Sequence, residues 1–238
     1  MKIALIGYGK MGREIEKVAL ERSHEIVLKL DAGNIADFTS GNLKKADVAI
    51  EFSTPQTAVE NIKKCFDASL PVVCGTTGWL AQFEEISKLC MERKQALFYA
   101  SNYSIGVNLF FRLNTFLADL MKPYSGYLPS MEEIHHIHKK DAPSGTAITL
   151  AEQLIAAHGG LNKWALKQDA RPGDLPITAI REDEVPGTHS ISYTSAADEI
   201  KITHQAFSRK GFAEGAVRAA EWIKGKHGVF GMEDLLNS

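Results

Sequence analysis

Apolar and polar positions alternate along the first hundred residues in a regular order of strands and helices. Short apolar runs that predict strands lie at residues 2–6, 25–30, 48–52, 71–74 and 96–100. In the first helical stretch between them, Ile15, Val18 and Ala19 recur at the spacing of one helix face. Thr54-Pro55 starts another helix, because proline has no donor to lose in the first turn. This alternation predicts a parallel sheet with helical crossovers, and therefore an α/β fold.

Small or hydrogen-bonding residues follow each of the five predicted strands. They are Gly7, Tyr8, Gly9, Lys10, Met11 and Gly12 after the first, Asp31 after the second, Ser53 and Thr54 after the third, Gly75, Thr76, Thr77 and Gly78 after the fourth, and Ala100, Ser101, Asn102 and Tyr103 after the fifth. A parallel sheet has its ligand crevice at the carboxyl ends of its strands. We therefore expect a ligand to lie against the backbone of these segments.

The first of these segments has the pattern G-x-G-x-x-G, which is typical of dinucleotide sites when it joins a strand to a helix. Gly7 permits the tight turn, Gly9 lets the backbone approach a pyrophosphate, and Gly12 lets helix and strand pack closely. The start of the helix offers free N–H groups and a positive dipole end to phosphates. A structural glycine turn without a nucleotide is the alternative.

Asp31 bears on which dinucleotide would bind. A carboxylate at the end of the second strand accepts hydrogen bonds from ribose hydroxyls and repels a 2′-phosphate, which favours NADH. The next residue, Ala32, is no arginine, whereas Lys10, Arg13 and Lys29 are near enough in sequence to offer some compensation. The prediction is that NADH is preferred and that NADPH can also be used.

Titratable side chains are concentrated between residues 132 and 140. If this segment is one strand, His136 and His138 share a face with Glu132, and His135 and Lys139 share the other. Two same-face histidines suggest zinc, but no third ligand of clear identity accompanies them, so no metal is predicted. A charged edge strand is the structural alternative. His135 and Lys139 can serve one small substrate only if the chain bends near Lys140–Pro143.

A second anion site is predicted directly after this segment. Ser144 is a good N-cap, and the small Gly145 leaves the first N–H groups of the following helix accessible. A carboxylate held at Gly145 and Thr146, with His136 and a lysine nearby, describes a pocket for a small acidic substrate. An ordinary capped helix is the alternative.

These residues also carry a resemblance to a known family. The stretch EEIHHIHKKDAPSGTA, residues 132–147, resembles the signature of the bacterial dihydrodipicolinate reductases, now called 4-hydroxy-tetrahydrodipicolinate reductases. The resemblance continues through GYGKMG, GTTG, ASNYSIGVN, IREDEVPGTHSISY, ITHQAFSRKGFAEGAVRAAEWI and GVFGMEDLL. It implies an NAD(P)H-dependent reduction of a cyclic, unsaturated dicarboxylic imine to tetrahydrodipicolinate, in the diaminopimelate and lysine pathway.

The resemblance also implies roles for individual residues. His135 would be the proton donor and acceptor, Lys139 a second proton donor, and His136, Gly145 and Thr146 would bind the substrate. Cofactor contacts would come from the segments that begin at Gly7, Asp31, Gly75 and Ala100. Two departures are Ala32, where NADPH-binding members have an arginine, and a compact stretch at 190–204 with no room for the hairpin of longer members.

The remaining chain predicts the domain organisation. Three apolar runs at 177–183, 189–195 and 198–205 read as strands, and residues 212–225 as a helix. By resemblance, residues 1–103 and 213–238 form a Rossmann-type dinucleotide-binding domain. Residues 104–212 form a smaller α+β domain with a mixed sheet, which binds substrate and assembles a homotetramer. Enclosure of substrate between the domains would require hinge closure.

Composition changes this picture little. With 27 basic and 29 acidic residues, a net charge of −2 and 45% hydrophobic residues, the chain is ordinary globular material rather than a nucleic-acid binder. No apolar stretch suggests a membrane span or signal peptide, so a cytoplasmic location is predicted. Cys65, Cys74 and Cys90 read as reduced packing residues. Two alternatives stay open: another two-domain dehydrogenase of small acidic substrates, such as one forming a thioester on Cys74, and a non-catalytic NAD sensor.

Overall fold

The computed structural model describes all 238 residues, which form two compact units. The first unit contains Met1–Ile105 and Arg209–Ser238, and the second contains Gly106–Ser208. Among the helices, none combines the length and the apolar composition that a membrane span requires.

The first unit is built around a six-stranded parallel sheet. Its strands are β1 (Lys2–Ile6), β2 (Glu25–Leu30), β3 (Val48–Glu51), β4 (Val72–Cys74), β5 (Ala96–Tyr99) and β11 (Gly228–Phe230). Its helices are α1 (Lys10–Glu21), α2 (Ser40–Leu43), α3 (Pro55–Asp67), α4 (Phe83–Glu92), α7 (Lys210–Ile223) and α8 (Met232–Leu236). The strand order β11-β5-β4-β3-β1-β2 has β2 and β3 on opposite sides of β1. The crevice at which connections diverge, where such sheets bind ligands, is therefore at the carboxyl ends of β1 and β3.

Burial in the first unit follows the predicted patterns. Both faces of β1 are covered, since Ile3 belongs to one apolar cluster and Ala4 to the other. This double burial explains why its strands read as continuous apolar runs. Helix α1 buries Ile15, Val18 and Ala19, which confirms the predicted face.

The second unit is a mixed sheet with helices on one face. Its elements are α5 (Ile105–Met121, whose first residue belongs to the first unit), β6 (Leu128–His135), α6 (Gly145–His158), β7 (Trp164–Leu166), β8 (Leu175–Arg181), β9 (Gly187–Thr194) and β10 (Glu199–Ala206). The strand order is β10-β9-β6-β8-β7, in which β6 is parallel to β8 and antiparallel to β9. Apolar side chains of α5, α6, β6, β8 and β9 form its core. The predicted fold class is confirmed.

The prediction of one strand running through Lys139 is wrong, because β6 ends at His135. Its neighbour β8 ends in register at Arg181, and pairing with β9 stops at Ile134, so no partner strand continues beyond this point. The chain turns instead, and Lys139 N donates to His136 O over 3.0 Å. The bend that the sequence suggested near Lys140 therefore comes several residues earlier. Sequence reasoning also missed α2, β7 and β11 as separate elements.

Candidate active site

Of the three glycines that follow β1, two are required by the fold and one faces open space. Gly7 has a φ of 94°, and a Cβ there would lie 2.0 Å from Phe52 O. A Cβ on Gly12 would lie 2.3 Å from Gly7 O, so close packing of α1 on the loop needs glycine. At Gly9 a Cβ would meet nothing within 4 Å. The first and third glycines are thus required by the fold, whereas the second faces open space.

A cavity of about 350 Å³ lies at the carboxyl ends of β1, β2 and β3. Its lining includes four predicted cofactor residues, Gly7, Tyr8, Gly9 and Asp31. Side chains that sequence reasoning did not assign also line it: Ala32, Ile35, Phe38, Thr57 and Asn61. Helix α1 begins beside the cavity with Gly9 as its N-cap. An apolar recess next to open first-turn amides fits a dinucleotide, whose adenosine needs the recess and whose phosphates need the amides.

The other predicted cofactor residues do not line this cavity. They are Lys10, Met11, Gly12, Gly75, Thr76, Thr77, Ala100, Ser101, Asn102 and Tyr103. Thr76 Oγ1 accepts a hydrogen bond from Ser53 N at 2.8 Å, which ties the end of β4 to the loop after β3. Tyr103 is buried, and its hydroxyl donates to Cys74 O at 2.8 Å. The segments after β4 and β5 therefore adjoin the β3 end of the crevice, and the Tyr103 side chain belongs to the core.

Beneath the loop after β3 lies a buried carboxylate. Glu51 is fully buried and accepts hydrogen bonds from the Ser53 hydroxyl and, at 3.2 Å, from Asn61 Nδ2. Cys74 Sγ lies 3.2 Å from the same carboxylate. Burial, and after it the Glu51 charge, raises the pKa of the Cys74 thiol, so this thiol is a poor nucleophile. This opposes the thioester alternative, and all three cysteines are free and buried.

In the second unit, strand register brings polar side chains together at the end of β6. On β6 the buried positions alternate, and the apolar Met131 is followed on the same face by Glu133 and His135. His135 pairs with Arg181 on β8, and Glu133 pairs with His189 on β9. The buried face of the sheet thus changes from apolar to polar toward this end.

Glu133 is the centre of this polar group. It is fully buried, and both of its oxygens accept from Ser144 N, at 3.0 and 3.1 Å. Arg181 Nη2 lies 3.0 Å from Oε1, and His135 Nδ1 lies 3.2 Å from Oε2. Burial alone would raise the pKa of Glu133, but the contacts with His135, Ser144 and Arg181 outweigh it and lower the pKa to about 2. Glu133 is therefore ionised across the ordinary pH range.

His189 completes the group as a neutral imidazole. Burial, and after it the nearby His135, lowers the pKa of His189 to about 4. Its Nε2 lies 3.2 Å from Ser144 Oγ, and its ring meets the His135 ring edge-on with centroids 5.1 Å apart. Ligand atoms of Glu133, His135 and His189 lie within 4.8 Å of one another, a spacing that could hold a metal ion. The Arg181 guanidinium on the same carboxylate opposes a second cation, which favours a hydrogen-bonded network.

The predicted second proton donor lies in the turn after β6. Lys139 Nζ is 2.8 Å from both carboxylate oxygens of Asp141. His136 is half-buried, whereas the exposed His138 contacts Glu184 at 3.2 Å. The centroids of the His136 and His138 rings are 6.2 Å apart.

Helix α6 begins next to this turn, as predicted. Ser144 is its N-cap and accepts from Ala147 N at 3.2 Å. A Cβ on Gly145 would meet nothing within 4 Å, so the first turn is open at this position. Because Ser144 N is bound to Glu133, the start of α6 at Gly145 and Thr146 is fastened to the group that contains His135. The structure therefore joins the predicted proton donor to the predicted anion site.

Family comparisons agree with this arrangement in both units. Residues 1–103 match the family model described as dihydrodipicolinate reductase, N-terminus, and residues 106–236 match the one described as dihydrodipicolinate reductase, C-terminus. The chain belongs to the dihydrodipicolinate reductase family. This confirms the resemblance seen in the HHIHKKDAPSGT segment and identifies residues 1–103 as the family's N-terminal domain, which binds NAD(P)H.

Curated members of the dihydrodipicolinate reductase family cover the whole chain. A protein of Christiangramia forsetii named 4-hydroxy-tetrahydrodipicolinate reductase is 48% identical over 239 residues, covering 100% of this chain and 98% of the relative. A protein of the same name from Neisseria meningitidis serogroup B is 33% identical over 271 aligned residues, covering 99% of this chain and 97% of the relative.

Solved structures support the fold of this family member. A dipicolinate-bound dihydrodipicolinate reductase from Paenisporosarcina sp. TG-14 superposes with a TM-score of 0.78 at 22% identity, covering 98% of each chain. A probable dehydrogenase from Thermotoga maritima superposes with a TM-score of 0.55 at 11% identity, covering 99% of this chain and 92% of that chain.

Sequence reasoning missed three residues of the site: Glu133, Arg181 and His189. Each lies in a predicted strand and was read as part of its alternation. One signal could have exposed two of them, because Glu133 and His189 each occupy an inward position of a strand that places apolar residues, Met131 and Ile191, on the same face. Arg181 carries no such signal, since it ends β8.

Proposed function

We propose that this protein catalyses the NAD(P)H-dependent reduction of 4-hydroxy-tetrahydrodipicolinate to tetrahydrodipicolinate, the reaction named for its curated relatives. One observation carries the proposal: the chain has features of both a dinucleotide site and a substrate site, which the reaction requires together. The first unit has an open glycine loop beside a recess, and the second has a histidine–lysine turn fastened to an open helix start. In this account the first unit binds the dinucleotide and the second binds the substrate.

Loss of the 4-hydroxyl of the substrate as water, with one ring C–H proton released to solvent, gives a conjugated imine, and bound NAD(P)H would supply the hydride that adds to it. Addition of hydride builds negative charge on the acceptor, and one proton must follow it for the atoms and charges to balance. His135 donates this proton as the imidazolium, and Lys139, the second proton donor, protonates the hydroxyl that leaves as water. The site returns to its starting protonation state when His135 and Lys139 take up protons from solvent.

A dicarboxylate substrate needs donors at both ends, and the second unit offers them. The first-turn amides of α6 at Gly145 and Thr146 bind one carboxylate, helped by the positive end of the helix dipole. His136 contributes a further contact. Lys139 would exchange its contact with Asp141 for one with the substrate, since both are carboxylates. The dipicolinate bound to the Paenisporosarcina relative is a planar dicarboxylate of this kind.

We further propose that NADH is preferred over NADPH. Asp31 lines the cavity, and its Oδ1 accepts from Gly33 N at 2.7 Å, which leaves Oδ2 for a ribose hydroxyl. Lys29, a possible partner of a 2′-phosphate, is instead paired with Glu16 at 3.2 Å and lies 5.1 Å from the centre of the Tyr8 ring. Lys10 stays exposed and accounts for the use of NADPH.

A homotetramer formed by the second unit is also proposed. Leu109, Leu113, Phe116 and Leu120 are exposed on α5 at a spacing of three and four residues, which makes one apolar stripe. Such a stripe on a helix is typical of an assembly contact. A cytoplasmic location stays a prediction, in keeping with the biosynthetic reaction.

The direct test is NADH oxidation by the purified protein with enzymatically generated substrate, followed by the loss of nicotinamide absorbance. We expect substrate-dependent oxidation, tetrahydrodipicolinate as product, and competitive inhibition by dipicolinate. A protein that binds NADH but does not oxidise it with this substrate would instead support the NAD-sensor alternative.

A further inference from the structure

The buried carboxylate of Glu133 contacts two parts of the site at once, the predicted proton donor and the start of α6. We propose that Glu133 is a positioning residue, which orients the His135 imidazole, favours its protonated form, and fixes the anion-binding start of α6 relative to it. The inference rests on the proposed function only in taking His135 as a proton donor. The contacts from which it is argued do not depend on that function.

The orientation of His135 follows from the contacts of its ring. Nδ1 is buried and lies 3.2 Å from Glu133 Oε2, an ion-pair contact rather than a well-aligned hydrogen bond. On the other side of the ring, a Cβ at position 187 would lie 3.0 Å from Nε2, so Gly187 is what leaves space there. The structure thus assigns Nδ1 to Glu133 and Nε2 to the substrate.

The charges around His135 make Glu133 the decisive group. Arg181 and Lys139 are cationic and disfavour an imidazolium, while the buried His189 is neutral near pH 7. Asp141 is exposed and shares its carboxylate with Lys139. Glu133 is therefore the one buried negative charge in direct contact with the ring. An opposite charge within about 4–6 Å favours the charged form of a titrating group.

Fastening α6 is the second part of the role. Both Glu133 oxygens accept from Ser144 N, directly before the first residue of α6. The same carboxylate therefore sets the separation between the His135 ring and the amides that would hold a substrate carboxylate. Loss of this contact would weaken substrate binding, whereas loss of the contact with His135 would slow proton transfer.

The experiment compares Glu133→Gln, Glu133→Asp and a matched control, Glu132→Gln. Glu132 is adjacent on β6, but it lies on the opposite face of the sheet. The readouts are kcat and KM across pH, and the ¹⁵N NMR titration of the His135 imidazole, identified by its loss in His135→Gln. The titration needs no turnover, so it tests the inference even if the proposed reaction is wrong.

For Glu133→Gln we expect kcat to fall by at least about 10-fold. The alkaline limb of kcat/KM and the His135 titration should both move to lower pH, by about one unit. For Glu133→Asp, which keeps the charge but is shorter by one methylene, we expect a lower kcat with both pH midpoints near wild type. Glu132→Gln should behave as wild type. A purely structural role would instead lower thermal stability in both Glu133 variants and leave the pH midpoints unmoved.

The inference is overturned if folded Glu133→Gln keeps the wild-type His135 titration. If Glu133→Gln does not fold, Glu133→Asp decides alone. A reduced kcat with wild-type thermal stability and an unmoved midpoint would support the positioning role, whereas a wild-type kcat, or a kcat that falls only together with thermal stability, would overturn it. A wild-type protein that shows no turnover, together with a shifted titration in Glu133→Gln, would refute the proposed function and leave the inference standing.

Discussion

The two units build their sites from different parts of the chain. In the first, the site is made by backbone at the ends of neighbouring parallel strands, and its glycines lie within one short segment, Gly7–Gly12, formed by the loop after β1 and the first residues of α1. In the second, it is made by side chains from three strands and one helix start: Glu133, Arg181, His189 and Ser144. A backbone site can be recognised from local spacing, whereas a side-chain site depends on strand register, which local spacing does not contain.

Removal of a proton donor should show the largest effect, because it should lower kcat through the second unit and leave NADH binding by the first unit unchanged. For Lys139→Ala we expect kcat to fall by at least about 100-fold, because a general acid is lost. NADH binding should stay unchanged, because Lys139 belongs to the second unit. Steady-state kinetics and calorimetric NADH titration measure the two effects. Lys140→Ala, an exposed neighbour, is the control. Weaker NADH binding in Lys139→Ala would contradict the separation.

The second-unit network should also make stability depend on pH. The pKa of His189 is lowered from 6.5 to about 4, so between these pH values the unfolded chain is protonated at His189 and the folded chain is not. The contribution of neutral His189 to the free energy of unfolding is fully present above pH 6.5. It is lost as the pH falls toward 4, by up to about 3 kcal/mol. Thermal unfolding between these pH values should show the decline, and His189→Gln should flatten it. An equally steep decline in the variant would show that other titrating groups cause the loss of stability.

In the first unit, two glycines allow fold and ligand to be tested apart. Gly12→Ala should destabilise the protein by about 1–3 kcal/mol, because its Cβ would overlap Gly7 O. Gly9→Ala should leave thermal stability nearly unchanged, since its Cβ meets open space, but should weaken NADH binding. Differential scanning calorimetry and NADH titration distinguish them. Unchanged NADH affinity in Gly9→Ala would contradict a backbone phosphate site.

The smallest expected effect is a change in the preference between NADH and NADPH. In Glu16→Gln, Lys29 loses its carboxylate partner and becomes available to a 2′-phosphate. We expect NADPH affinity to rise a few-fold relative to NADH, since exposed ion pairs contribute at most about 1 kcal/mol. Direct binding of both dinucleotides measures the ratio. Glu14→Gln, which removes an exposed pair with Lys17 on the same helix, should leave it unchanged.

The sequence was sufficient for the first unit because its signals are local. Strand, glycine loop, helix face and Asp31 follow one another within 30 residues, and each was found where it was predicted. The lining residues Ile35 and Asn61 were missed, because they reach the cavity from the segment after β2 and from α3.

For the second unit, the sequence supplied the histidine–lysine segment and the start of α6, but not their connection. The end of β6 is set by where β8 and β9 stop pairing, so the strand was predicted to run too far. Glu133 and Arg181 meet across 48 positions of sequence, and no local pattern links them. Resemblance to the family implied roles for His135 and Lys139, but it implied none for the carboxylate that contacts His135.

The central claim is that His135 donates the proton in a reduction driven by NADH, and one comparison of kcat tests it most directly. His135→Gln should lower kcat for enzymatically generated substrate by at least about 100-fold with NADH binding intact. His138→Gln, three residues along and exposed, should keep near wild-type turnover. Near-normal turnover in His135→Gln would contradict the account.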